Sequence, residues 1–207
     1  MGILSGGIRL RRYQVSGEVP RDFRGDYEEA IRKHAFQDLA AGDEREEVLG
    51  WVPVDDWFDP GLHLDRWLIE HTVNLTLRVD TKRIPARFLK QECRKVEDEW
   101  RLRSGREDLA RAERDEIETI VRRRLLDRVI PACQGTDFSW DLNSGLVLFW
   151  GTGERLNEVF RSLFEKTFGV KPRPLFPYFL ALRALGEEKG EIVDRVVPAV
   201  FRPEGGA

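Results

Sequence analysis

The sequence is poor in the residues that build metal, cofactor and disulfide sites. Among 207 residues it has two cysteines, Cys93 and Cys133, and three histidines. The cysteines lack C-x-x-C spacing and are too few for a disulfide framework, which favours a reducing compartment. No histidine lies four residues from another or beside a cysteine, so we expect no zinc site.

Long hydrophobic runs are also missing. The longest runs, such as residues 146–150, are far shorter than the roughly 20 residues that span a bilayer. The first residues lack the basic and apolar regions of a signal peptide. No phosphate-binding P-loop and no G-x-S-x-G nucleophile elbow occurs. We therefore expect a cytoplasmic protein without membrane contact and without a cofactor.

Charge is abundant and unevenly distributed. The chain has 34 basic and 37 acidic residues, for a net charge of −3, yet residues 82–130 contain 15 basic and 11 acidic residues. A basic surface on an acidic protein can bind phosphate. Charge alone favours a solvated helical face with mixed charges.

Strand and helix patterns alternate along the chain. Residues 73–79 show the clearest alternation of apolar and polar side chains, and residues 143–145 are typical of a hairpin turn. The fold class predicted is α+β, with antiparallel sheets flanking a central long antiparallel helical pair. Predicted strands cover 8–15, 48–54, 67–69, 73–79, 137–142, 146–150 and 170–176, and predicted helices outside the central pair cover 26–34, 153–168 and 179–185.

The central helices carry the basic residues. Pro85 is suited to open the first helix, and the second covers about 107–129. Leu89, Cys93, Val96 and Trp100 fall within about 60° on a helical wheel and form an apolar seam. Arg87, Lys90, Arg94 and Arg101 fall in a second arc about 120° from that seam.

These patterns divide the chain into four parts of what we interpret as one continuous module. Residues 1–84 form a β-rich part, and residues 85–131 form the helical pair with its basic face. A hairpin–helix–strand part covers 132–186, and a C-terminal tail covers 187–207.

One pattern suggests catalysis. Asp80-Thr81-Lys82 follows a strand, and Asp55, Asp56 and Asp59 lie upstream. Two acidic metal ligands with a lysine near the scissile phosphate are typical of magnesium-dependent nucleases. A surface turn explains the same residues more simply, so we expect no enzyme and no metal site.

Several short stretches, in their order, resemble one family of bacterial proteins. They are residues 8–15, Ala35-Phe36, 50–53, 82–86, Gln91-Glu92, Gly105-Arg106, Ile130-Pro131, 139–141 with Asn143 and Gly145, Gly169-Val170, and 174–177. Together these resemble the recombination-associated protein RdgC family over residues 8–177, without that family's C-terminal part. The resemblance implies a dimeric ring that encircles double-stranded DNA without sequence preference and limits the access of recombinase filaments.

The leading hypothesis is therefore a nucleoid-associated, non-catalytic binder of double-stranded DNA. The residues predicted to contact phosphates are Lys82, Arg83, Arg87, Lys90, Arg94 and Arg101. A homodimer that forms an open clamp is expected, with residues 176–182 packed on the neighbouring copy. The alternatives are a protein-interaction module that kept the fold without ring closure and, third, the magnesium-dependent nuclease.

Overall fold

The computed structural model describes residues 2–4, 9–17, 19–20, 22–39, 43, 45–59, 61–186 and 189–195. These residues form a mixed α+β fold, as the sequence predicts. The strands are β1 (Arg11–Val15), β2 (Glu47–Val52), β3 (Leu68–Ile69), β4 (Thr72–Thr81), β5 (Ala132–Asp141), β6 (Leu146–Phe149) and β7 (Pro172–Pro174). The helices are α1 (Phe23–Lys33), α2 (Leu64–Trp67), α3 (Ala86–Ser104), α4 (Arg111–Leu126), α5 (Glu154–Phe168), α6 (Pro177–Leu185) and α7 (Gly190–Asp194).

All these strands belong to one antiparallel sheet. Its order is β2-β4-β5-β6-β1-β7, and the short β3 pairs with β4 beside β2. The chain leaves the sheet at Thr81 and returns at Ala132, and these two residues lie opposite each other in the β4–β5 register. The strands that precede and follow the helical pair in the sequence are therefore joined in a single sheet, instead of the flanking sheets that the sequence predicts.

Most element boundaries differ from the sequence predictions by a few residues, and three differences are larger. Strand β5 begins at Ala132, five residues before the predicted start at residue 137, because residues 132–136 pair with β4 although they lack an apolar alternation. Helix α2 was not predicted. Helix α7 lies inside the predicted tail, and the rest of that tail, residues 196–207, lies outside the described residues.

The main core lies between one face of the sheet and helices α1 and α5. Leu75 and Leu77 of β4 face this core, as does Phe138 of β5. Helix α5 buries Phe160, whose ring stacks on Phe149 with the ring centroids 4.0 Å apart. The glycine at 169 ends α5 in the left-handed conformation, as the sequence predicts.

The opposite face of the same strands is polar yet buried. The Asp137 carboxylate accepts hydrogen bonds from the Thr76 hydroxyl and from the backbone N–H of Ile3. Beside them, the Arg78 guanidinium donates two hydrogen bonds to the Asp80 carboxylate, at 2.9 and 2.7 Å. These pairings satisfy charges that would otherwise be costly to bury.

Helices α3 and α4 pack on each other and form what we call the helical hairpin, residues 86–126. Arg101 near the end of α3 donates to the backbone oxygen of Glu107, just before α4, at 3.0 Å. Burial raises the pKa of the Cys93 thiol, and so does the nearby Glu118 in the middle of α4. The two helices therefore run in opposite directions. No helix within the described ranges is both long and apolar enough to cross a bilayer.

Candidate nucleic-acid interface

The orientation of helix α3 is set by the apolar seam that the sequence predicts. Leu89 is buried, and Cys93, Val96 and Trp100 are packed beside it in a small hydrophobic cluster. Helix α4 contributes Ile117, Val121 and Leu125 to the same cluster, which is separate from the main core. Because this seam faces α4, the basic arc of α3 is turned away from the partner helix.

Four of the six predicted phosphate contacts are exposed, and three of them lie on this outer side of α3. They are Arg83, just before α3, and Arg87, Lys90 and Arg94 within it. In the part of the chain that the structure describes, none of these four side chains forms an ion pair. We call these four residues the basic face.

Lys82 does not belong to the basic face, because its side chain is buried. The residue is only 7% exposed, and its backbone N–H donates to the Glu46 oxygen at 2.8 Å. Its charge lies close enough to Asp43 to help lower the pKa of that carboxyl to about 2, an effect that is mainly due to hydrogen bonds from Arg45. Contact between Lys82 and a phosphate would require its removal from this buried position.

Arg101 is exposed only in part and is already paired. Its guanidinium lies 2.7 Å from the Asp98 carboxylate and 3.6 Å from that of Glu97. With its hydrogen bond to Glu107, these contacts hold Arg101 at the junction of the two helices. The residue lies on the predicted arc, but its charge is balanced by carboxylates of the same helix.

The two halves of α3 therefore differ in charge. Residues 86–95 contain four basic residues and one acidic residue, whereas residues 96–104 contain two basic and three acidic residues. Glu92, the single acidic residue of the first half, pairs with Lys95, which does not belong to the basic face. Positive charge is concentrated where the hairpin leaves the sheet.

The residues of the nuclease hypothesis are held in internal contacts. Asp80 receives both hydrogen bonds from Arg78, and this carboxylate in turn raises the pKa of that guanidinium. Asp55 and Asp59 both pair with Arg66, at 2.9 and 2.5 Å. Over the described ranges, no group of three or more histidine, cysteine, aspartate or glutamate side chains is arranged to hold a metal ion.

The sequence patterns missed a groove beside the first half of β5. Trp57, Trp150 and Leu156 are among its lining residues, and its volume is about 770 Å³. Residues 132–136 lack the alternation of a strand, so no sequence pattern indicates an edge there. Pro131 before them and the glycines at 151 and 153 after β6 were the available signs of a break in the sheet.

Comparison with known proteins identifies no family for this chain. No model of a known protein family matches the chain, and no curated protein is significantly similar to it. The resemblance to the RdgC family therefore stays a prediction.

Proposed function

We propose that this protein binds double-stranded DNA without sequence preference through the basic face of α3. The observation that supports this proposal is the set of four exposed cations, Arg83, Arg87, Lys90 and Arg94, that have no ion-pair partner among the described residues. Unpaired cations on one side of a helix and just before it are suited to neutralise the phosphates of a duplex.

The spacing of these cations favours backbone contact over reading of bases. Arg87, Lys90 and Arg94 follow one another at intervals of three and four residues, so they lie along roughly 10 Å of one helix side. Contacts of lysine and arginine with phosphates fix position and carry no sequence information. By the family resemblance, such binding would limit the access of recombinase filaments to DNA in the nucleoid.

We further propose that the protein acts as a homodimer joined through α6. Phe176 and Phe179 are each 55% exposed, and their ring centroids lie 6.4 Å apart. Leu185 on the same helix is also exposed. An aromatic surface of this kind is typical of a protein contact, and a two-fold pair uses one such surface twice. Light scattering at micromolar concentration should give twice the monomer mass, and Phe179→Glu should give the monomer.

The DNA proposal is tested by charge reversal on the basic face. Arg87→Glu with Arg94→Glu should weaken binding to duplexes of unrelated sequence by at least tenfold. With four phosphate contacts, the slope of log affinity against log salt should be about −3.6, and loss of two contacts should reduce it to about −1.8. Gel shifts or fluorescence anisotropy at several salt concentrations measure both quantities.

The matched control is Arg103→Glu with Arg111→Glu. Both residues are exposed in the hairpin but lie outside the basic face, and the pair changes the net charge by the same amount. This control should keep most of the affinity and a slope near that of the unchanged protein. Equal losses in the two double variants would refute a defined interface, and unchanged affinity in the first would favour the protein-interaction module instead.

A further inference from the structure

The first half of β5 has an open edge inside the sheet. Residues 132–136 pair with β4 on one side. On the other side, β6 reaches only as far as Phe149, which lies opposite Phe138. The sheet therefore has a gap where a longer β6 would continue along β5.

The backbone groups of two residues point into this gap. The N–H of Trp150 donates to the Asp137 oxygen at 3.0 Å, so Asp137 faces the β6 side. Since backbone groups along a strand alternate in direction, those of Cys133 and Gly135 face the same side. Within the described ranges, no backbone group bonds to the N–H or C=O of either residue.

The groove offers apolar side chains on both faces of this edge, together with the charged Glu47, Glu154 and Arg155, of which Arg155 and Glu47 pair with each other at 2.7 Å. Val79, Leu156 and Val159 line it on the side of the main core, and Trp57 and Trp150 also line it. Trp57 lies against Gly135 so closely that a Cβ there would be 2.5 Å from its ring. An inserted strand would thus find partners for its backbone and for the side chains of both its faces.

The β7 edge and the Trp51 end of the β2 edge differ from this one. At the β7 edge, Pro172 and Pro174 lack the N–H that strand pairing needs. At the β2 edge, Trp51 donates to the His34 oxygen and accepts from Phe36, each at 3.0 Å. Residues 132–136 contain neither proline nor charge, the usual devices that protect an edge.

We propose that a short extended segment of a partner protein adds to the sheet at this edge. Its backbone would bond to Cys133 and Gly135, and its side chains, uncharged and apolar in the centre, would contact both walls of the groove. Five strand residues span about 17 Å. This edge is too short for the 1,200–2,000 Å² or so that a stable interface between folded proteins buries, so a peptide segment fits better than a second copy.

The proposal is tested with octapeptides selected from a random library by binding to the full chain. A selected peptide should bind Cys133→Pro at least tenfold more weakly, because proline removes an edge N–H without removing a bond to β4. It should bind Cys133→Ala within twofold of the unchanged protein, since alanine keeps that N–H. Circular dichroism and thermal melting show whether the proline variant is folded.

A second measurement does not depend on the folding of any variant. The selected peptide is N-methylated at one residue at a time. Methylation at every second residue should abolish binding, and methylation at the residues between them should leave the affinity nearly unchanged. The proposal would be overturned if the peptide bound a folded Cys133→Pro variant as tightly as the unchanged protein. It would also be overturned if N-methylation at every position left the affinity unchanged. A dimer of the protein alone that Cys133→Pro dissociates would also overturn it, because the edge would then hold a second copy.

Discussion

The sheet and the helical hairpin are stabilised very differently. Of the described residues, eighteen buried side chains form the main core, and ten of them are aromatic. The hairpin cluster has five buried side chains, all aliphatic, with Trp100 half-buried beside them. The sheet therefore holds most of the buried apolar side chains, whereas three of the four residues of the basic face lie on the hairpin.

This difference separates stability from the proposed function. Buried apolar area is the dominant favourable term in folding, so the main core should determine whether the protein folds at all. Exposed charges that lack partners contribute little to folding and are free to contact a ligand. Substitutions in the two regions should thus produce effects of different kinds, which the following predictions test in decreasing size.

The largest loss of stability is expected from Phe160→Ala. Phe160 is fully buried and contacts four other aromatic rings besides the stacked Phe149. Removal of such a ring should lower the free energy of unfolding by about 3–5 kcal/mol. Denaturant unfolding measures the loss. The control is Phe88→Ala, a half-exposed phenylalanine of α3, which should cost well under half as much.

A smaller and more local loss is expected from Leu125→Ala in the hairpin. This side chain is buried in the cluster shared by α3 and α4, so its removal should cost about 2–3 kcal/mol. Amide hydrogen exchange should accelerate over residues 86–126 while β4 and β5 stay protected. Ile120→Ala on an exposed side of the same helix is the control. Equal acceleration in the sheet would show that the two regions unfold as one unit.

The smallest effect concerns Tyr27 of α1 and appears at alkaline pH. Burial raises the pKa of its phenol to about 12, and its hydroxyl has no partner among the described residues. The folded state favours the neutral phenol, so this contribution to stability is complete below pH 10 and is lost as the pH rises towards 12. Tyr27→Phe should therefore flatten the fall in Tm over this range.

At pH 7 the same substitution should leave Tm unchanged or raise it slightly, because an unpaired buried hydroxyl is removed. Tyr13, whose pKa burial also raises, is present in both proteins, so the difference between their curves isolates Tyr27. A Tm that falls equally in both proteins between pH 10 and 12 would contradict the prediction.

The sequence predicted the regular parts of the fold because they are patterned. The alternation at 73–79 and the glycine at 169 each follow from a local rule, and both are confirmed. The start of β5 could not be predicted, since residues 132–136 become a strand only through their pairing with β4. Pairing between strands fifty residues apart leaves no local signal in either of them.

Only the part of the candidate site that follows from helix geometry was predicted from the sequence. The wheel identified the seam and the side on which Arg87, Lys90 and Arg94 lie. It could not show that Lys82 is buried near Asp43 or that Asp98 and Glu97 balance Arg101. Those outcomes depend on which rotamers and loops surround a charge, and a periodicity contains no such information.

The opposed positions of Thr81 and Ala132 have a consequence for how this protein could diversify. Because they are paired, residues 82–131 form an insertion whose two ends already meet, and a tight turn could close β4 onto β5 in its place. The hairpin is then a structural unit that can be replaced, and it has a hydrophobic cluster of its own. Relatives could lengthen it, reverse its charge or discard it, and the order of the strands beneath would stay the same.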